Sequence, residues 1–340
     1  MKTMQALVFQ EAKNFDSFVI KAVPRPVPGP GEVLVQVKAS ALNRRDFFIT
    51  QGLYANIKTP IILGSDGAGV VADVGDGVDR SWLDKAVIIN SCLDWGDNSR
   101  AQQRDFRILG MPDDGTQAEY VRVPATNIML MPAHFSFEEA AAIPLAGLTG
   151  YRALFTQGQL SAEDTVLITG AGGGVAALML QMACAINATV LVTSGNDEKI
   201  ARAVAAGAKG GANYHDPEWP KQITTLAGDK GVSLIVDSAG GEGFDALTSI
   251  VNPGGRMVFF GATLGNPPQF NQRRVYWKQL TIQGTTMGSP ADFEQMVHFF
   301  ESYEIKPFID GPYPITQYRE AYLRMKEGKQ FGKIVLTPAW

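Results

Sequence analysis

The sequence predicts an α/β chain in two parts, a β-rich unit and a doubly wound unit around a parallel sheet. Three observations predict this. At 340 residues the chain exceeds the roughly 250–300 at which a single hydrophobic core stops growing. Its first 125 residues carry short apolar or alternating runs bounded by proline, glycine and aspartate, as strands and turns do. Beyond about residue 135, apolar runs alternate with helix-like stretches, the order that builds a parallel sheet covered by helices.

Taken in chain order, MQALVFQ (4–10) and VLVQVKASALN (33–43) read as strands. The proline-glycine connector PRPVPGPGE (24–32) between them can be neither helix nor central strand. GAGVVADVG (67–75) and KAVIIN (85–90) follow as further short strands, and the polar stretch 93–115 as a long loop or lobe. FSFEEAAAIPLAGLTGYRAL (135–154) reads as a helix with Ser136 as its N-cap. TVLIT (165–169), a glycine turn, AALMLQMACAIN (176–187) and TVLVTS (189–194) form a strand–helix–strand unit. DEKIARAVAAG (197–207) is a helix closed by Gly207, and SLIVDSA (233–239) and RMVFFGA (256–262) read as strands buried on both faces. LTIQGTT (280–286) is the last strand of that sheet. A helix (291–303), a proline-rich turn, another helix (317–328) and a terminal strand, KIVL (333–336), close the chain.

Composition narrows the function classes. A net charge of −4 lacks the basic footprint of a nucleic-acid binder or a membrane-surface protein. Two cysteines 92 positions apart make no disulfide framework and suit a reducing cytoplasm. Three histidines, His134, His215 and His298, show no metal-ligand spacing, and with only two cysteines in the chain a structural cysteine-rich zinc site, which needs four ligands, is excluded. Residues 165–196 are uncharged and long enough to cross a bilayer, but their glycines and Asn187 make them strand, turn, helix and strand. The N-terminus shows no apolar signal-peptide core, and the expectation is a soluble, cytoplasmic protein.

The turn Gly170-Ala171-Gly172-Gly173-Gly174-Val175-Ala176 carries the chemistry. A turn that ends a buried strand and opens a helix aims backbone N–H groups and the helix dipole at a pyrophosphate. Aligned on the helix start, the dinucleotide glycine pattern falls on Ala171, Gly173 and Ala176. Where an NAD site places an acid for the ribose, this chain offers Ser194, Gly195 and Asn196. Asp197 and Glu198 are better explained as the acidic first turn of a helix capped by Asn196. Lys199 and Arg202 share a face near the positive end of that helix, which a 2′-phosphate would explain. NADPH is therefore expected over NADH.

Six segments then carry a resemblance: ALNRRDFFITQGLY (41–54), LGSDGAGVVADVG (63–75), GTQAEYV (115–121), the glycine turn, VDSAGG (236–241) and FGKIVL (331–336). In both halves and in order, the chain resembles the medium-chain dehydrogenase/reductase superfamily, in its quinone-oxidoreductase-like branch that lacks zinc. The resemblance implies a GroES-like β-barrel domain from both chain ends, residues 1–126 and 289–340, with a Rossmann domain, 127–288, inserted. It also implies a homodimer. In the zinc alcohol dehydrogenases of this superfamily, ligand cysteine and histidine stand where this chain has Asn43 and Ser65. The third ligand falls near Leu145 or Ala146. All three are lost, so any zinc-type label would describe ancestry, and the lobe 92–115 resembles a remnant of the structural-zinc lobe.

Without a Lewis acid, alcohol oxidation loses its main driver, whereas a conjugated acceptor needs only hydrogen-bond donors at a distant oxygen. The resemblance places Tyr54 as proton donor or cofactor contact, and Asn43 as a donor to nicotinamide, ribose or substrate oxygen. Asp46 is expected to fix its loop. Thr149, Ser238, Gly261, Ala262, Thr263 and Lys333 match cofactor-proximal positions, with Ala171, Gly173, Gly174, Val175, Ser194, Lys199 and Arg202 from the turn and its neighbour helix. The expected activity is NADPH-dependent reduction of a quinone, enone or enoyl thioester. A metal-free alcohol or aldehyde dehydrogenase and an NADPH-binding sensor are the alternatives. A coenzyme-A thioester would need cations, for which Arg44, Arg45, Arg273 and Arg274 are candidates.

Overall fold

The structure is a computed structural model and describes residues 2–340. The chain divides into two compact units, one made of everything up to Ala146 with Gly288–Trp340, the other of Gly147–Met287. In the first unit the opening elements are β1 (Thr3–Phe9), β2 (Phe18–Pro24), β3 (Glu32–Ala41), α1 (Arg44–Thr50), β4 (Ile61–Ile62), β5 (Asp66–Val74) and β6 (Ala86–Ile89). They continue with β7 (Cys92–Leu93), β8 (Arg107–Ile108), β9 (Tyr120–Pro124), β10 (Ile128–Leu130) and α2 (Phe137–Ala141). The lobe expected as a loop is clasped by the short pair β7–β8, with Arg107 bonded to both Asp94 (2.6 Å) and Asp113 (2.7 Å).

The helix expected over 135–154 is broken into pieces. Ser136 caps α2 as expected, in a reciprocal box with Glu139. Pro144 then opens α3 (Pro144–Tyr151), and a wider turn follows over Arg152–Gln157. Pro144 has no N–H to continue the first helix, which is why the restart falls there.

The second unit holds β11 (Thr165–Ile168), α4 (Gly174–Ala185), β12 (Thr189–Ser194), α5 (Asp197–Ala205), β13 (Gly210–Asn213) and α6 (Trp219–Ala227). β14 (Val232–Asp237), α7 (Gly243–Ile250), β15 (Val251–Phe259), α8 (Gln272–Trp277) and β16 (Thr281–Gly284) complete it. Its six strands are all parallel, in the order β13-β12-β11-β14-β15-β16. Every residue of β11 is buried, as expected for a central strand covered on both faces. β13 reads Gly-Gly-Ala-Asn and carries no apolar run, so only its pairing with β12 identifies it.

The chain returns to the first unit through α9 (Pro290–Ser302), β17 (Ile309–Pro314), α10 (Tyr318–Lys326) and β18 (Lys333–Thr337). The stretch read as a proline-rich turn is β17, an edge strand beside β18, where prolines cost no ladder bond. One sheet runs β10-β6-β5-β3-β18-β17 with β9 also on β3, and a smaller one runs β2-β1-β4. β10 pairs with β6, and α2 packs on β3, β5 and β18. Those bonds put residues 127–146 in the first unit, so the first boundary falls some twenty residues beyond 126.

Candidate active site

In the second unit, the connections leave β11 towards β12 on one side while β14 lies on the other, so the strand order reverses between β11 and β14. Ligands of open α/β sheets bind outside the carboxyl ends of the strands at such a reversal. The glycine turn sits at this point. Gly170 and Gly172 take φ of +74° and +93°, which L side chains rarely adopt. Gly173 is the extended N-cap of α4 and supplies no side-chain cap. The first N–H groups of α4, from Gly174 and Val175 on, have no partner within the helix, and its first turn holds no acid. A twelve-residue helix opening this way suits an anion.

Neighbouring groups hold the turn. Ala171 N–H donates to Thr193 O (2.8 Å), and Ser194 Oγ donates back to Ala171 O (3.3 Å) while accepting from Asn196 N–H (3.3 Å). Asn196 caps α5 by accepting from Lys199 N–H (3.0 Å). The stem of Lys199 crosses Gly172, where a Cβ would come 2.6 Å from its Cδ. Arg202 differs from the expectation. It lies exposed in the last turn of α5, at the negative end of the dipole, so its position there calls for no anion.

At the end of β14, buried Asp237 accepts from Thr169 Oγ1 (2.6 Å), Ala239 N–H (3.2 Å) and Gly240 N–H (2.9 Å). Ser238 O accepts from both the N–H (3.2 Å) and the hydroxyl (3.1 Å) of Thr263. That pins the exposed loop of Gly261, Ala262 and Thr263 beside the glycine turn's strand end. Buried Thr149 donates towards Met287 Sδ at 4.0 Å.

In the first unit, a buried polar cluster has formed around the start of α1. Lys333 Nζ, on β18 and 2% exposed, donates to Leu42 O (2.9 Å), Asn43 Oδ1 (2.6 Å) and Asp66 Oδ2 (2.8 Å). An ammonium has three protons, and all three are taken. Lys333 is thus a core ion pair and not the cofactor contact expected. Asn43 Nδ2 also donates to Asp66 Oδ2 (2.9 Å), whose other oxygen accepts from Leu145 N–H (2.7 Å). Asp46 fixes the loop as expected, accepting from Asn43 N–H (2.8 Å). Burial raises its pKa from the ordinary range, partly opposed by the Arg45 charge.

Arg45 is sealed in as well, bonded to Ser65 Oγ (2.6 Å), Leu109 O (3.0 Å) and Met111 O (3.2 Å), so it is no surface cation for a thioester. Arg274 is likewise engaged, with Asp245 and Thr248. The Arg45 guanidinium carbon lies 5.2 Å from the centre of the Tyr54 ring. Tyr54 is half-buried against the apolar cluster of Leu42, Ile49, Leu63 and Tyr322. Asp66 and the inward role of Arg45 were missed in the sequence. The signals were an acid inside LGSDGAGVV and a cation in the first turn of a helix, where the dipole disfavours it.

These residues do not fit zinc. Among the described residues no group of three His, Cys, Asp or Glu side chains could hold a metal. Asn43, Ser65 and Leu145 offer an amide, a hydroxyl and a backbone N–H; of the two carboxylates nearby, Asp66 is already paired with an ammonium and Asp46 accepts from Asn43 N–H beside the Arg45 guanidinium.

The family described as "Alcohol dehydrogenase GroES-like domain" matches residues 29–133, and "Zinc-binding dehydrogenase" matches 174–302. The chain is 34% identical over 337 residues to a "Zinc-type alcohol dehydrogenase-like protein YogA" of Leptosphaeria maculans, covering 93% of each chain. It is 29% identical to an "Acryloyl-coenzyme A reductase" of Sulfurisphaera tokodaii, covering 98% of this chain and all of that one. A solved "NAD-dependent alcohol dehydrogenase" superposes with a TM-score of 0.93 at 35% identity, over 99% of this chain and 100% of the other.

Proposed function

This chain belongs to the medium-chain dehydrogenase/reductase superfamily, and on that premise we propose that it is an NADPH-dependent, zinc-independent reductase of conjugated carbonyls. Its acceptor is a quinone, an enone or an enoyl thioester. The observation that carries this reading is that Asn43, Ser65 and Leu145 make no metal-ligand set: the Ser65 hydroxyl is bonded to Leu109 O and the Leu145 N–H to Asp66, while Asn43 Nδ2 has a second proton beyond the one given to Asp66, which suits hydrogen bonding to an oxygen. The acryloyl-coenzyme A reductase relative favours the enoyl thioester.

The dinucleotide is held at the turn from Ala171 to Val175, with Ser238, Gly261, Ala262, Thr263 and Thr149 as further contacts. Lys199, lying across Gly172, supplies the charge for a 2′-phosphate. When bound, the nicotinamide supplies the hydride. The Asn43 amide is oriented by Lys333 and Asp66 and donates to the acceptor oxygen as charge gathers there. Tyr54 Oη gives the proton that completes the reduction. The protein acts in the cytoplasm as a homodimer, and no helix among the described residues is long and apolar enough to cross a membrane.

The test is stopped-flow oxidation of NADPH, and separately NADH, against phenanthrenequinone, crotonyl-CoA and 2-hexenal, with a primary alcohol run in the oxidative direction. Tyr54→Phe should lower enoyl turnover by at least ~10²-fold, as loss of a general acid does. Faster turnover with NADH would overturn the cofactor assignment. Alcohol oxidation as the sole activity would support the kinship to alcohol dehydrogenases instead, and tight NADPH binding with no acceptor reduced would support a sensor.

A further inference from the structure

A cation near the start of a helix opposes the helix dipole, so an arginine buried there needs another account. Arg45 is the second residue of α1 and is 8% exposed. Three of the five N–H protons of a guanidinium are hydrogen-bonded here, to Ser65 Oγ, Leu109 O and Met111 O. Its Nε is buried without a partner, and Asp46 Oδ1 stands 3.9 Å from Nη1. The further group against it is the ring of Tyr54, whose centre lies 5.2 Å from the guanidinium carbon. A cation over an aromatic face is attracted by the ring quadrupole, and more strongly when both are out of water.

Tyr54 needs such a clamp. It lies between α1 and β4 in a loop that is neither helix nor strand, with Leu53 and Ala55 exposed on either side. Its ring rests on the apolar cluster around Leu42, Ile49 and Tyr322, and among the described residues nothing hydrogen-bonds its hydroxyl. A hydroxyl anchored to the protein would be turned away from a ligand, whereas a ring gripped through its face keeps the hydroxyl free. We propose that Arg45 is the positioning residue of Tyr54: locked to the barrel by its three hydrogen bonds, its guanidinium fixes the plane of the ring and so the direction of the hydroxyl. This role rests on the reading of Tyr54 as proton donor, but the ring contact does not. Lysine is no substitute, because an ammonium has neither the plane to lie against the ring nor the fork that reaches three oxygens.

The contact is tested by melting temperature, without catalysis. Tyr54→Phe keeps the ring and should melt within about 1 °C of wild type. Tyr54→Leu loses the ring and should melt about 3 °C lower. In an Arg45→Gln background the same change should cost roughly half as much or less. The role is tested by turnover of crotonyl-CoA with NADPH. Arg45→Gln should lower kcat about tenfold and leave the KM for NADPH unchanged, as loss of aim does. In Tyr54→Phe, which has no hydroxyl to aim, adding Arg45→Gln should change kcat by less than about twofold. Arg45→Lys should recover only part of the loss. If Arg45→Gln gives no folded protein, both cycles are run with Arg45→Lys, for which the same directions are expected. An arginine that only holds the fold would lower kcat by the same factor in both backgrounds, and that result overturns the proposal. So does a cost of Tyr54→Leu that is equal with and without Arg45. Failure of the reductase reading is distinct: wild type leaves crotonyl-CoA unreduced, or Tyr54→Phe turns over as wild type does, which overturns the aiming role while the melting cycle still decides the ring contact.

Discussion

Tyr322 shows how a single hydroxyl ties stability to pH. It is fully buried in the barrel core, its oxygen accepting from Gln117 Nε2 at 2.9 Å. Burial, then the nearby Asp46 charge, push its pKa well above the ordinary phenol value. The folded-state pKa is thus raised, so its stabilisation is complete below about pH 10 and is lost as pH rises beyond. Tyr322→Phe should be less stable than wild type by about 1–2 kcal/mol at neutral pH, because Gln117 loses its partner. The gap should narrow above about pH 10, measured by urea unfolding across that range. A gap that stays constant would mean that Tyr322 does not carry the alkaline loss.

The glycine turn and the helix caps belong to the scale of elements. Gly172 is held at a positive φ with Lys199 across it, so Gly172→Ala adds backbone strain and displaces the lysine stem together. Its Kd for NADPH should rise about tenfold by isothermal titration, the equivalent of ~1.4 kcal/mol, with little change in fold. In β5, a Cβ at Gly69 would come 2.0 Å from Gln36 O on the paired strand, a collision with backbone that cannot turn aside. Gly69→Ala should cost about 3 kcal/mol or more by thermal unfolding. Ser136→Ala should cost only ~1 kcal/mol, the worth of one cap.

At the scale of the whole molecule, the parallel sheet ends at β16, an edge strand with unpaired ladder groups. Exposed aromatic residues precede it on α8, Trp277 at 83% and Tyr276 at 64% exposure. An open edge beside such residues is the natural place for a second copy to pair, in keeping with the proposed homodimer. Sedimentation should find a dimer for wild type, and the double substitution Tyr276→Lys with Trp277→Lys should shift it towards monomer. A dimer unaffected by that change would place the interface elsewhere.

Much of the second unit was legible along the chain because its signals are local. A glycine turn between a buried strand and a helix is written in consecutive residues, and the cap Asn196 acts within three residues of itself, as Ser136 does in the first unit. The alternation of apolar runs was enough for the parallel sheet, though not for β13, whose glycines carry no pattern. Around α1 the same reasoning singled out Asn43 and Tyr54, but took Lys333 for a cofactor contact and Arg45 for a candidate cation for a thioester, where the fold buries both. Their partners are distant in sequence: Asn43 and Lys333 are 290 residues apart, and Arg45 meets Leu109 and Met111 across the barrel. A charged side chain reveals nothing in sequence about whether it faces water or a buried carboxylate. Only folding, which closes β18 against β3 and brings both chain ends together, decides that the charge at 333 lies inside.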